Sequence, residues 1–180
     1  LGIITSLTLR ATPIETEPTL IVAPVFNLEN ASSVIIEALK YNPINVEVFD
    51  ALTFDLALKN PRFFKERLQG ADYYKVLLSM YTTHHVRQRR KVPEFTILIT
   101  IDHEAAEQLS PSEIASRLKT ASGVKARVVK SPIEREMYWQ IRRASYTLSK
   151  FQDQGKRPAA FLEDMTVPPE QFGNFFMEVK

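Results

Sequence analysis

Five glycines are spread along the chain, at Gly2, Gly70, Gly123, Gly155 and Gly173, and no two lie close together. A loop that cradles a phosphate or pyrophosphate brings the backbone against the anion, and clustered glycines allow this because they carry no Cβ. A sequence with isolated glycines therefore contains no glycine-rich nucleotide loop of its own. Its turns must be made by Pro, Asn, Asp and Ser, which favours short links between regular elements.

The pattern between those links is a repeated change from strand to helix. Leu1, Ile3, Leu7 and Leu9 alternate with Ile4, Ser6, Thr8 and Arg10 and predict a strand ended by Pro13, with a linker over Ile14 to Pro18. Leu20 to Phe26 predicts a second strand, placed at a sheet edge because Pro24 lies within it. Asn30 is a candidate cap for a helix whose stripe is Val34, Ile35, Ala38 and Leu39, stopped by Asn42-Pro43. Ile44 to Phe49 predicts a strand, and Asp50 caps a helix towards Lys59. Ala71 to Tyr81 suits either helix or strand, and His84 to Glu94 reads as a solvated basic loop.

Phe95 to Asp102 is a strand, and Ser110-Pro111-Ser112-Glu113 is a capping box whose helix ends at Gly123. A strand over Val124 to Val129, a long helix from Pro132 to about Phe151, a strand over Pro158 to Val167 and a final helix from Pro168 complete the chain. Short half-apolar strands alternating with helices predict an α+β fold: a ferredoxin-like antiparallel sheet with helices packed on one face.

Composition excludes several functions. There is no Cys, so disulfides, thiolate metal sites and Cys nucleophiles are absent, which fits a reducing compartment. The net charge of +2 lacks the basic excess of a nucleic-acid binder. No apolar run is long enough to span a bilayer. His84 and His85 are adjacent and diverge in either regular structure, so they make no metal pair. Arg87, Arg89, Arg90 and Lys91 could meet an anionic partner, a membrane surface or another subunit. Glu47 with Asp50, and Glu163 with Asp164, are paired carboxylates, but the second pair faces opposite ways on a strand.

The strongest candidate for binding chemistry is MYWQIRRASYTL, Met137 to Leu148. On a helix Trp139, Arg142, Arg143 and Tyr146 recur at i, i+3, i+4 and i+7 and share a side. An indole wall beside guanidinium forks suits a carboxylate. The same spacing also describes aromatic core residues with Arg heads in solvent, and residue-type preferences favour that second reading.

Four segments in order resemble the FAD-linked oxidases and dehydrogenases of the vanillyl-alcohol oxidase type. LGIITSLTLRATP is similar to the closing strand of their flavin-binding domain, and VEVFD to the start of a helix in their cap domain. YWQIRRASYTL resembles the family's Leu-Trp-x-x-Arg segment, and FLEDMTVPPEQFGNFF its Asp-x-x-Val-Pro segment. The order agrees with members acting on D-lactate, glycolate or D-2-hydroxyglutarate.

The resemblance implies that residues 1–18 are a remnant of the FAD-binding domain and residues 19–180 a substrate-binding cap domain truncated at its C-terminus. It implies FAD as the cofactor of the intact protein, with Gly2 and Ile3 lying against it, and no flavin held by this piece alone. It implies hydride transfer from a 2-hydroxy acid, with Arg142 binding the carboxylate and Trp139 and Tyr146 beside it. The base and any metal would lie outside the chain. Tyr146 and Leu162 stand where 2-hydroxyglutarate enzymes have Thr and Lys, which implies a larger or less acidic substrate. Asp164, Val167 and Pro168 match structural positions. The implied setting is cytoplasmic, with a small-molecule substrate, the FAD-binding domain as partner and a possible homo-oligomer. The contrasting expectation is a stand-alone ferredoxin-like ligand-binding or interaction module without catalysis.

Overall fold

The computed structural model describes residues 3–9, 18–65, 71–88, 93–102, 109–149 and 166–179. Strands β1 (Thr19–Val25), β2 (Asn45–Asp50), β3 (Phe95–Ile101) and β4 (Arg127–Val128) form one sheet in the order β2-β3-β1-β4, with every neighbouring pair antiparallel. Helix α1 (Leu28–Leu39) joins β1 to β2, and α5 (Pro111–Ser122) joins β3 to β4. Two strand–helix–strand units interleaved this way are the split topology of the ferredoxin-like fold. The expected α+β class and antiparallel sheet are present.

The helices cover both faces of this sheet rather than one. Ile21, Ala23, Val25, Ile97 and Ile99 pack with Ala31, Val34 and Ala38 of α1 and Ile114 and Leu118 of α5. Leu20, Val22 and Leu98 point the other way, onto Phe54 of α2 (Ala51–Lys59), Phe64 of α3 (Arg62–Lys65), Val76 and Met80 of α4 (Ala71–Gln88) and Met137 and Ile141 of α6 (Pro132–Ser149). The physical reason is legible in β3: FTILITI is buried at every position, so neither face can be left to water. The helices inserted between β2 and β3, together with α6, close the second face. After a 3₁₀ turn at Pro169–Gln171, α7 (Phe172–Val179) returns to the first face, where Phe176 sets its ring edge-on to Phe95 at 5.5 Å.

Local signals account for most boundaries. Asp50 Oδ1 accepts from the Thr53 amide at 2.8 Å and starts α2. Ser110 and Glu113 form the reciprocal capping box of α5, and Gly123 ends that helix at φ 70°, a conformation suited to glycine. The cap of α1 is Asn27 rather than Asn30: its Oδ1 accepts from the Asn30 amide at 2.8 Å, so Asn30 lies inside the first turn.

Four other expectations change. Strand β1 is central, not at an edge. Val129 N donates to Leu20 O at 2.8 Å, so Leu20, Val22 and Pro24 turn their backbone polar groups to the β4 side. Strand β4 pairs only with Ile21 and Val22 and ends before Pro24, which loses no ladder bond by lacking an N–H. It is also shorter than the expected strand over Val124 to Val129. The basic stretch from His84 is not wholly loop, because α4 runs on to Gln88; Tyr73, Val76, Leu77 and Met80 give it a helical packing side. Residues 3–9 form no strand, and Ile3 is 93% exposed. An alternating pattern becomes a strand only where another strand receives its backbone bonds. Of the expected strand over Pro158 to Val167, residues 158–165, with Leu162, Glu163 and Asp164, lie outside the described residues, as does Gly2, while Thr166 and Val167 are in no strand.

Candidate functional site

Helix α6 carries the candidate side chains. Ser131 Oγ accepts from the Glu134 amide at 3.3 Å and begins the helix. Met137, Tyr138, Ile141 and Ala144 are buried against the sheet, which fixes the rotation of the helix. Arg127 of β4 pins its first turn by pairing with Glu134, and donates to the Tyr138 hydroxyl at 3.3 Å. The Glu134 hydrogen bond, opposed by burial, holds the Arg127 guanidinium above its ordinary pKa.

With the rotation fixed, the expected cluster divides. Arg142 turns towards β2, where its Nε donates to Glu47 Oε2 at 2.7 Å. Its Nη1 reaches Ser145 Oγ at 3.3 Å. Arg143 is exposed and lies 3.6 Å from Glu136 Oε1, so the two guanidinium groups do not form one fork. Trp139 is half-buried at the margin of the core. Tyr146 lies within α6, four positions beyond Arg142. Glu47 and Asp50 do not act as a pair, since one meets Arg142 and the other caps α2. Among the described residues, no group of three His, Asp or Glu side chains comes together.

Trp139 roofs a cleft of about 350 Å³ that sequence reasoning did not find. Leu20, Asn45 and Thr100 of the sheet line it, together with Pro18, Ile44 and Arg135. Arg135, Trp139 and Arg142 recur at helical spacing, so the cleft and the Arg142–Glu47 pair are neighbours beneath one side of α6. Thr100 was visible in the sequence only as a β-branched residue among isoleucines, and Asn45 as an ordinary strand start. Nothing in a single chain signals that they face each other.

A second cleft, about 470 Å³, lies between Asn27, Glu29 and Glu94 on one side and Gly173, Asn174 and Met177 on the other. It is larger, but its charged lining is acidic and it is remote from α6, so the smaller cleft is the better candidate for an anionic ligand. The described residues do not fit a dinucleotide. Gly123 is their one positive-φ glycine and sits at a helix C-terminus, where carbonyls rather than N–H groups are presented. An added Cβ at Gly173 would meet Ser32 Oγ at 3.3 Å, so that glycine serves helix packing. No described helix is long and apolar enough to cross a membrane.

A ferredoxin-like sheet covered on both faces, with an Arg-bearing helix over a polar cleft, defines an α+β domain with a candidate binding cleft. The chain matches FAD linked oxidases, C-terminal domain, over residues 15–180, and it belongs to that family. No curated protein and no solved structure shows a significant match.

Proposed function

We propose that the chain is the substrate-binding cap of an FAD-dependent oxidoreductase that oxidises a 2-hydroxy acid such as D-lactate or glycolate. Arg142 anchors the carboxylate, Trp139 supplies an apolar wall, and Tyr146 stands one turn further along α6. Family membership supports the redox class. The observation that supports the anchor is the state of Arg142: its side chain is 37% exposed and its partner Glu47 33% exposed. An ion pair so open to water is worth about 0–1 kcal/mol, whereas an incoming carboxylate can take two parallel bonds from the guanidinium. The pair therefore holds the Arg in place without locking it.

Flavin, when bound to the intact protein, supplies the hydride acceptor. Since the described residues do not form its cradle, we place it in a separate FAD-binding domain, which is this domain's partner. The cap's own task is to bind and orient the acid.

The test is steady-state kinetics on the intact flavoprotein. Arg142→Ala is expected to raise KM for 2-hydroxy acids by about 10- to 100-fold, the loss of a charged hydrogen bond. An unchanged KM would return Arg142 to a purely structural pairing with Glu47.

A further inference from the structure

The row of the sheet under Trp139 contains two orphaned buried oxygens. Asn45 of β2 pairs across the sheet with Thr100 of β3, and Thr100 with Leu20 of β1. Thr100 is only 4% exposed, yet its Oγ1 has no hydrogen-bond partner. The buried Asn45 Oδ1 has none either. A buried polar atom left without a hydrogen bond is destabilising, so two on facing residues are a feature to be explained. Both residues line the cleft of about 350 Å³, within the size range of small-molecule sites.

The chemistry of the two groups selects what would satisfy them. A Thr hydroxyl both donates and accepts, while an amide oxygen only accepts. A ligand carboxylate could take the Thr100 proton but would oppose Asn45 Oδ1. A ligand methyl would satisfy neither. A ligand hydroxyl satisfies both, giving its proton to Asn45 Oδ1 and accepting from Thr100. Turning the amide over exchanges acceptor for donor, which admits a carboxylate as well; of the three groups only a hydroxyl matches both orientations. Arg135, which has an interaction of its own, also lines the cleft, and the guanidinium that would take a ligand's carboxylate is the neighbouring Arg142. The Trp139 indole gives the ligand a flat wall.

We propose that this cleft is a hydroxyl-reading subsite for a short hydroxylated carboxylate, with Asn45 and Thr100 as its specificity-determining residues. Asn45 lies two positions from Glu47 on the same side of β2, about 7 Å away, so the subsite adjoins the Arg142 anchor. The inference rests on the hydroxy-acid reading above and adds the residues that distinguish a hydroxy acid from its deoxy counterpart.

Trp139 is the only tryptophan in the chain, so its fluorescence reports this cleft directly. The 180-residue chain is titrated with glycolate and D-lactate, and in parallel with acetate and propionate, which have the same charge and no hydroxyl. The hydroxy acids are expected to shift Trp139 emission at roughly tenfold lower concentration than the deoxy acids, the discrimination of one good hydrogen bond. Thr100→Val keeps the shape and removes the hydroxyl; it abolishes the preference while leaving the thermal midpoint equal or raised, because it also removes an orphaned atom. Thr100→Ser retains the preference and keeps the proposal testable should the Val variant fail to fold.

Equal response to both series, no response to either, or a crystal structure soaked in D-lactate that shows only a trapped water on Asn45 and Thr100 overturns the subsite. The two readings fail separately. Turnover of 2-hydroxy acids by the intact flavoprotein without a hydroxyl preference at Trp139 sinks the subsite and leaves the function standing. A hydroxyl preference without turnover does the reverse.

Discussion

Glu47 decides how available Arg142 is. Its carboxylate occupies the Arg142 Nε–H, the position that a substrate carboxylate would want. On the anchor role proposed for Arg142, substrate binding would exchange one carboxylate for another, with Glu47 setting the cost. Glu47→Gln keeps the volume and a weaker hydrogen bond while removing the competing charge. In the intact flavoprotein it is expected to lower KM for 2-hydroxy acids by about two- to fivefold, the worth of a half-exposed pair. Because the pair is solvent-screened, the thermal midpoint should move little. A raised KM would show that Glu47 positions Arg142 instead of competing for it. This pair also marks a limit of sequence reading. WQIR on a helix and VEVF on a strand announce an Arg and a Glu, but their meeting across 95 residues depends on how α6 rotates over the sheet. That rotation is set by Met137, Tyr138 and Ile141 together, not by the Arg itself.

At the scale of elements, α5 was fully readable because its start and stop are local chemistry. Ser110 Oγ accepts from the Glu113 amide at 3.3 Å, and Glu113 Oε2 accepts from the Ser110 amide at 2.7 Å. Ser110→Ala removes one arm of that box and is expected to cost about 1 kcal/mol in denaturant unfolding, with an unchanged m-value. The same bonds tie stability to pH. Hydrogen bonds from the Ser110 side chain and backbone hold the Glu113 carboxyl below its ordinary pKa. Glu37 in α1 is lowered by its bond to Lys40 and then by Tyr41, whose hydroxyl donates to it at 2.5 Å. A carboxyl whose folded pKa lies below its unfolded one adds stability that is full above the unfolded value. That stability is lost as pH falls through the folded value. The melting temperature should thus stay level from neutrality down to about pH 5 and fall below about pH 4.3, the unperturbed glutamate value. Melting curves of Glu37→Gln should fall less steeply there. By contrast, α4 was ambiguous because Tyr73, Tyr74, Val76, Leu77 and Leu78 satisfy either period, and only contact with α6 chooses the helix. The cap of α1 was misplaced because Asn27 and Asn30 are chemically alike and three residues apart, donor and acceptor of the same bond.

At the scale of the molecule, the sheet divides the interior into two apolar clusters that share strands but no side chains. Phe54 of α2 lies wholly on the α6 side, and Leu118 of α5 wholly on the α1 side. The alternation of β1 and β3 explains why: Leu20, Val22 and Leu98 feed one cluster, and Ile21, Ala23, Ile97 and Ile99 the other. A one-residue slip of β3 would exchange the two sets, moving Thr96 and Thr100 towards α1 and α5, so both clusters defend one register. From sequence alone the second cluster was missed, because the helices that form it come from an insertion between β2 and β3 and from α6, each readable locally but with no sign of which face it would take. Two clusters on a common sheet should behave as separate sites of damage within one folding unit. Phe54→Ala is expected to cost about 3–5 kcal/mol and Leu118→Ala about 2–5 kcal/mol, since both side chains are fully buried. To keep the folded state populated, the cycle is better made with Phe54→Leu and Leu118→Val, measured by urea unfolding. Their losses should add to within about 0.5 kcal/mol, because the side chains share no partners across the sheet. The single and double variants should each unfold in one transition, because β1 and β3 cannot keep their ladder while losing either cover. A coupling above about 1 kcal/mol would mean that the two clusters share partners through the sheet, and two separate transitions would mean that they do not form one folding unit; either result would replace the three-layer account of the fold.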